Sequence, residues 1–233
     1  IRRQRQMCIR DRSYRGGIYQ LSDRVITIKK EHIIENTINK SRFIAHIKPV
    51  SSEDEAKMFI EEVKQTHKEA THNCSAYTVG NQMNIQKAND DGEPTGTAGI
   101  PMLEILKKLD IHNACVVVTR YFGGIKLGGG GLIRAYSGAV RDVIYDIGRV
   151  ELRNAIPTTV TINYDLTGKF EYELASTSFF LRDKVYTDKV SYKIDVVETE
   201  YDSFIEFLNR NTASQYDLEK DTPKQLPFDI ETN

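Results

Sequence analysis

The most constraining feature of this chain is the stretch over residues 116–135, which reads VVVTRYFGGIKLGGGGLIRA. An apolar run with strand character ends in Arg120 and Tyr121, six glycines follow within nine positions, and an amphipathic run comes next. Glycine lacks a side chain and tolerates φ above zero, so a strand that passes through such a turn into a helix can present bare backbone N–H groups to an anion. The stretch predicts a strand over residues 114–122, an anion-binding loop over residues 123–131 and a helix from Leu132 to Ile147.

The composition is typical of a globular protein, with 39% apolar and 28% charged residues, and a length of 233 residues favours two domains. No apolar run approaches the roughly 20 residues that span a bilayer, and no signal segment opens the chain. We therefore expect a cytoplasmic protein without a membrane partner. The three cysteines lack C-x-x-C spacing, which argues against a disulfide framework and a zinc site. No metal or cofactor is expected.

Charge is distributed unevenly along the chain. Residues 1–156 carry 24 Lys and Arg against 18 Asp and Glu, whereas residues 157–233 carry 8 against 15. The first twelve residues alone supply five Arg and one Asp, show no apolar periodicity and resemble translated adapter sequence. We expect residues 1–12 to be an artefactual extension. The alternative is a basic arm that binds nucleic acid.

Turn and capping signals divide the rest of the chain into elements. Residues 24–49 predict two or three strands with a turn near Asn39, and a capping box at Ser52 predicts a helix that ends near His67. Gly80 and Asn81 predict a hairpin, and a polar loop then leads into a second helix with Pro101 in its first turn. Together with the glycine stretch these elements form an α+β domain over residues 22–155.

A second domain is predicted after Pro157. Residues 157–220 have the order strand, helix, strand, strand, helix, strand, which is the split βαβ order of a ferredoxin-like fold. Two prolines near the end of the chain, Pro223 and Pro227, predict a mobile tail over residues 221–233.

The glycine stretch lacks both common nucleotide fingerprints. Lys126 is followed by Leu127 and precedes the main glycine run, which disfavours a triphosphate-hydrolysing loop. A dinucleotide site needs a parallel βαβ unit, and here the next element leaves the domain. What remains is a turn beside Arg120, Lys126 and Arg134, with Tyr121 and Tyr136 nearby, which could bind a phosphate backbone or a carboxylate and stack a base. The alternative is a tight strand-to-helix connection packed against another backbone.

The second motif, DDGEPTGTAG, covers residues 90–99 and contains three carboxylates, two hydroxyls and three glycines. Such carboxylates could hold a magnesium ion, act as acid and base, or cap a helix. Alternatively, Asp90 or Asp91 pairs with Arg120 or Arg134 and has no chemical role.

A third candidate is the pair His72 and Cys74, which lie two residues apart and so share one face of an extended segment. A nucleophile pair or half of a metal site would need a third partner, which the sequence does not identify. We expect Cys74 to be buried at a strand start and His72 to bond a neighbouring loop.

Three segments together resemble the YigZ/IMPACT family: HNCSAY from His72, DDGEPTGTAGIPML from Asp90 and VVVTRYFGGIKLGGGGLIRAYSGA from Val116. The resemblance implies an N-terminal domain similar to domain two of ribosomal protein S five. It also implies a C-terminal domain similar to the last domain of elongation factor G. As a family surface it implies the DDGEPTGTAG loop together with Arg120, Arg134, Gly123, Gly124, Gly128 and Gly130.

The function expected from this resemblance is non-catalytic regulation of translation or of a stress response, through binding of RNA, the ribosome or a translation-associated protein. One alternative is a metal-assisted hydrolase of peptidase or phosphoesterase type, and another is a protein–protein adaptor. No catalytic residue is assigned. The candidate ligand-binding residues are His72, Cys74, Asp90, Asp91, Glu93, Thr95, Thr97, Arg120, Tyr121, Gly123, Gly124, Lys126, Gly128, Gly130 and Arg134.

Overall fold

The computed structural model describes residues 25–230, which form two β-sheets with helices packed on them. Residues 1–12, predicted to be artefactual, lie outside the described residues, as do the last three residues of the predicted tail. The strands are β1 (Val25–Ile28), β2 (His32–Ile38), β3 (Ser41–Pro49), β4 (His72–Val79), β5 (Ile85–Asn89), β6 (Ala114–Tyr121), β7 (Arg149–Ile162), β8 (Phe180–Tyr186), β9 (Val190–Val197), β10 (Asp217–Lys220) and β11 (Lys224–Asp229). The helices are α1 (Glu53–Thr66), α2 (Gly99–Lys108), α3 (Gly128–Ile147), α4 (Tyr164–Leu174) and α5 (Tyr201–Thr212), the last preceded by a 3-10 turn at Glu198–Glu200.

The first sheet has the order β2–β3–β6–β4–β5 and is antiparallel throughout. Alternate residues of its strands face opposite ways, so one face buries Phe43, Val116 and Val118 under α2 and α3, and the other packs on α1. The predicted cap at Ser52 is confirmed, because Ser52 accepts a hydrogen bond from the backbone N–H of Glu55, while the Glu55 carboxylate accepts from the backbone N–H of Ser51 rather than of Ser52. The predicted hairpin between β4 and β5 is also confirmed.

The second sheet is built on β7, which is 14 residues long. Its C-terminal part pairs with β9 and β10, and β9 pairs with β8, which gives the antiparallel order β10–β7–β9–β8. Helices α4 and α5 cover the apolar face of this sheet in one cluster that includes Phe170, Tyr192 and Phe204. The predicted strand–helix–strand–strand–helix–strand order is therefore present, and the α+β class is confirmed.

Two sequence expectations are corrected by β7 and the strands beside it. The first strand of the predicted second domain does not begin at Pro157, because β7 starts at Arg149 and continues through the proline. The residue is tolerated there because β11 pairs with β7 only up to Ala155 and β10 pairs from Thr158 onward, so the ladder on that edge is interrupted at the proline, while the ladder with β9 on the other edge continues past it with Asp195 opposite. The mobile tail is wrong for residues 224–229, which form β11 along β7.

Within residues 25–230, no helix is both long enough and apolar enough to cross a membrane.

Candidate functional site

The glycine stretch is organised differently from the prediction. Helix α3 begins at Gly128 rather than at Leu132, so four consecutive glycines form its first turn. The packing requires glycine at position 123, because a Cβ there would overlap the backbone of Lys40 at the β2–β3 turn. Gly124 and Gly128 have φ values of +85° and +68°, which disfavour any other residue.

Neither the packing nor the backbone conformation requires glycine at positions 129 and 130. Their φ values are not positive, and a Cβ on either would lie no closer than 3.6 Å to the nearest atom of the surrounding structure. Glycine inside a helix costs about 1 kcal/mol relative to alanine. Their presence in an exposed first turn therefore has no explanation in the packing, and local rules of this kind are most often broken at functional sites.

The N-terminal N–H groups of α3 are open. The residue before the helix, Leu127, provides no side-chain cap, the first turn holds no acidic residue, and no side chain of residues 25–230 accepts a hydrogen bond from Gly128, Gly129 or Gly130. Helix α2 differs in this respect, because the Asp90 carboxylate accepts from the backbone N–H groups of Ala98 and Gly99 at 3.0 and 2.7 Å. Of these two helix N-termini, only that of α3 has free N–H groups for an external anion.

The DDGEPTGTAG loop is held by its first carboxylate. Asp90 accepts a third backbone hydrogen bond, from Gly96 at 2.8 Å. Burial raises the pKa of Asp90, but the three N–H donors outweigh burial and leave the pKa below its ordinary value. The predicted pairing of Asp90 with Arg120 or Arg134 is wrong, since both carboxylate oxygens serve the loop backbone.

Asp91 ties the same loop to α1 and β4. Its carboxylate lies 3.1 Å from Lys64 Nζ and accepts from the backbone N–H of Asn73 at 2.7 Å. Its carbonyl oxygen lies 2.8 Å from His72 Nδ1. The predicted bond from His72 to a neighbouring loop is therefore confirmed, and Asp91, like Asp90, does not pair with Arg120 or Arg134.

The carboxylate that pairs with Arg120 is Glu93. Its Oε1 accepts from Arg120 Nη1 at 2.6 Å and from the Tyr136 hydroxyl at 2.7 Å, and the three side chains are almost fully buried. Burial, together with Cys74 and Glu93 nearby, raises the pKa of Tyr136, so the phenol remains a donor. This triad joins the DDGEPTGTAG loop to β6 and α3 and fixes how the two motifs face each other.

The two motifs and His72 meet at one pocket of about 430 Å³. It is lined by Thr71, His72, Glu93, Pro94, Arg120, Phe122, Lys126, Leu127, Gly128, Gly129 and Leu132. The pocket thus brings together five of the predicted site residues: His72, Glu93, Arg120, Lys126 and Gly128. It adds the exposed aromatic ring of Phe122, which was marked in the sequence only by its position beside the glycines.

Arg120 forms the buried wall of this pocket. Its guanidinium carbon lies 5.5 Å from the ring centroids of both Phe43 and Phe122. Its Nε is buried and has no hydrogen-bond partner among residues 25–230. The cation is therefore desolvated and held in place, while Lys126 is exposed at the pocket and free to approach a ligand.

The remaining predicted residues lie outside the pocket lining. Tyr121 is on the opposite face of the sheet, where its hydroxyl lies 2.9 Å from His67 Nδ1. Cys74 is fully buried, donates to the carbonyl of Asp90, and has its pKa raised to about 12 by burial, which makes it a poor nucleophile. The others off the lining are Asp90, Asp91, Thr95, Thr97, Gly123, Gly124, Gly130 and Arg134.

Few side chains at this site are free to bind a metal ion. Asp90 is bonded to three N–H groups, and Oε1 of Glu93 is bonded to Arg120 and Tyr136. Among the described residues, no group of three or more His, Cys, Asp or Glu side chains is placed to hold a metal ion.

Comparisons with known proteins agree with this architecture. Residues 39–144 match the Impact N-terminal domain, and residues 160–215 match a domain of unknown function, DUF1949. The IMPACT family member YvyE of Bacillus subtilis is 47% identical over 194 residues, which cover 83% of this chain and 89% of YvyE. The chain belongs to the IMPACT family.

Two further similarities differ in extent. The IMPACT family member YigZ of Escherichia coli is 43% identical over 109 residues, which cover 46% of this chain and 53% of YigZ. A crystal structure titled only as that of a hypothetical protein covers 84% of this chain and 96% of its own, with a TM-score of 0.55 and 28% identity. The pocket lies within the matched Impact N-terminal domain, since its lining residues run from 71 to 132.

Proposed function

We propose that this IMPACT family protein binds RNA in the pocket beside α3 and acts in the cytoplasm as a non-catalytic regulator of translation. A phosphate would lie at the first turn of α3, next to Lys126, and a base would stack on Phe122. The observation that carries the proposal is the uncapped turn of four glycines, two of which the packing does not require.

Each part of the pocket suits one part of a nucleotide. Open N–H groups at a helix N-terminus and a flexible ammonium group favour a phosphate. An exposed aromatic ring backed by a guanidinium favours a stacked base, and stacking of this kind is worth about 1–3 kcal/mol per base. The apolar side chains of Leu127 and Leu132 border the same space. The volume suits about one nucleotide, so contacts to longer RNA would be few.

The carboxylates support binding rather than metal-assisted hydrolysis. Asp90 organises the loop backbone, and Glu93 holds Arg120 and Tyr136 in place. Both acids therefore already serve the structure of the pocket, which is the role expected of a support for a ligand site.

The test measures RNA binding by the wild type and by Lys126→Ala, using a fluorescent single-stranded oligoribonucleotide at several salt concentrations. Loss of one phosphate contact should weaken binding and lower the slope of log K against log salt by about 0.7. Lys108→Ala, which removes an exposed lysine at the far end of α2, is the matched control. Sedimentation with ribosomes at low and moderate salt extends the test to the assembled particle.

Two outcomes would contradict the proposal. One is the absence of RNA and ribosome binding at every salt concentration. The other is an equal loss of binding in Lys126→Ala and Lys108→Ala, which would mean that the protein attracts RNA only through its overall charge.

A further inference from the structure

We infer that His72 selects ribose over deoxyribose by accepting a hydrogen bond from the 2′-hydroxyl of the nucleotide in the pocket. This inference rests on the proposed function and names the ligand class more narrowly. The argument begins with the tautomer of the imidazole, which its neighbours determine.

The backbone carbonyl of Asp91 fixes that tautomer. A carbonyl oxygen can only accept, so His72 Nδ1, 2.8 Å away, carries the proton and donates it. In the neutral ring, Nε2 then has a lone pair and no proton. The contact also orients the ring, because Nδ1 is held on the side of the DDGEPTGTAG loop.

The surroundings of Nε2 agree with this assignment. The nearest ionisable partner, Glu93 Oε2, lies 3.8 Å away, which is too long for a hydrogen bond. Two acceptors facing each other are expected to stay apart. Nε2 has no hydrogen-bond partner within residues 25–230. The atom is not fully buried, so a ligand can reach it.

The pocket therefore offers both donors and an acceptor. The N–H groups of α3 and the Lys126 ammonium donate, and Arg120 shares the wall with an unpartnered buried Nε. The uncharged acceptor side chains among the lining residues are Thr71 and His72. Thr71 Oγ1 already accepts one hydrogen bond, from the backbone N–H of Phe122, whereas Nε2 of His72 accepts none from the described residues. A ligand that satisfies both kinds of group needs an anionic group and a hydrogen-bond donor within one pocket of about 430 Å³.

A ribonucleotide has that combination. Its 2′-hydroxyl is a donor next to the phosphodiester backbone, and it is the group by which proteins distinguish RNA from DNA. Deoxyribose would leave Nε2 without a partner in a pocket from which ligand binding has removed water.

The experiment compares three single-stranded oligonucleotides of one sequence with ribose, 2′-deoxyribose or 2′-fluororibose sugars. The 2′-fluoro sugar keeps an RNA-like pucker but cannot donate. Loss of one neutral hydrogen bond corresponds to a roughly 3- to 10-fold loss of affinity. The wild type should therefore bind the ribose form 3- to 10-fold more tightly than either analogue.

Two substitutions assign that preference to Nε2. In His72→Asn the side-chain amide can still donate to the Asp91 carbonyl but has nothing at the position of Nε2, so we expect equal affinity for all three oligonucleotides. In His72→Gln an amide oxygen can take the place of Nε2, so part of the ribose preference should return.

The outcomes separate this inference from the function on which it rests. Equal affinity of the wild type for the ribose and 2′-fluoro forms would overturn the role of His72 but leave phosphate binding intact. A ribose preference that persists in His72→Asn would also overturn it. Failure of all three oligonucleotides to bind would overturn the proposed function itself.

Discussion

His46 is a buried histidine on β3 whose Nε2 has no hydrogen-bond partner within the part of the chain that the structure describes. Burial, with a smaller contribution from His67, lowers its pKa to about 4. The two rings lie 5.0 Å apart, and Arg42, Glu35 and Tyr121 surround His67 on the neighbouring strands. A proton on His46 would therefore have no partner and would destabilise the fold.

The pH dependence follows from this difference between the folded and unfolded states. The unfolded chain binds the proton with a pKa near 6.5, so stability is complete above that pH and is lost as the pH falls toward 4. Between pH 7 and 4.5 we expect the free energy of unfolding of His46→Leu to fall by roughly 2 kcal/mol less than that of the wild type. Urea unfolding at pH 7, 5.5 and 4.5 measures it, and parallel pH curves for variant and wild type would contradict the prediction.

Single residues were also where the sequence was least informative about the site. The motifs containing Glu93 and Arg120 were identified, but their pairing was assigned to the wrong carboxylates. The sequence places Tyr136 near the glycine turn but does not predict its bond to Glu93, because that bond spans 43 positions and depends on how α3 crosses the loop. Contacts of this range follow from packing, which no local pattern encodes.

Among the elements, α3 combines a poor helix start with a well-packed body. The sequence predicts the apolar face of α3 and its end at Gly148. It predicts the start at Leu132 rather than at Gly128, because glycine has a low helix propensity. Burial of Leu132, Ala135 and Tyr136 against the sheet stabilises the helix enough to extend it through Gly128. Predictions based on propensity fail at such a position, which is where a functional reason is expected.

Substitution of Gly130 separates the stability of α3 from its binding of an anion. Gly130→Ala should stabilise the protein by about 1 kcal/mol, and Gly130→Glu by a little more, because a carboxylate is favourable at a helix N-terminus. The same carboxylate should repel a phosphate, so Gly130→Glu should lose RNA binding, whereas Gly130→Ala, which adds only a methyl group beside the open N–H groups, should weaken binding much less. Thermal unfolding and oligoribonucleotide titration measure the two effects. RNA binding by Gly130→Glu at the wild-type level would show that this helix end is not the phosphate site.

At the scale of the whole molecule, β7 connects the two halves of the chain. Its first part pairs with β1 from the N-terminal half and with β11 from the C-terminal half, and its second part pairs with β9 and β10. The sequence predicted the elements on each side but not β11, because Pro227 indicated a loop. The proline is compatible with β11 because, among the described residues, this strand pairs only with β7 and leaves its other edge unpaired.

The side chains of β11 predict how strongly the end of the chain is bound. Phe228 is 7% exposed, packs edge-on against Phe180 at 6.0 Å and lies under the Arg153 guanidinium. Its removal leaves a cavity beside Phe180 of β8, so Phe228→Ala should cost about 3 kcal/mol of unfolding free energy. Gln225→Ala changes an exposed residue of the same strand and should cost under about 0.5 kcal/mol. Urea unfolding compares them, and limited proteolysis should cut Phe228→Ala first within residues 221–230. Equal stability of the two variants would mean that this segment detaches in solution, as the prolines in the sequence had suggested.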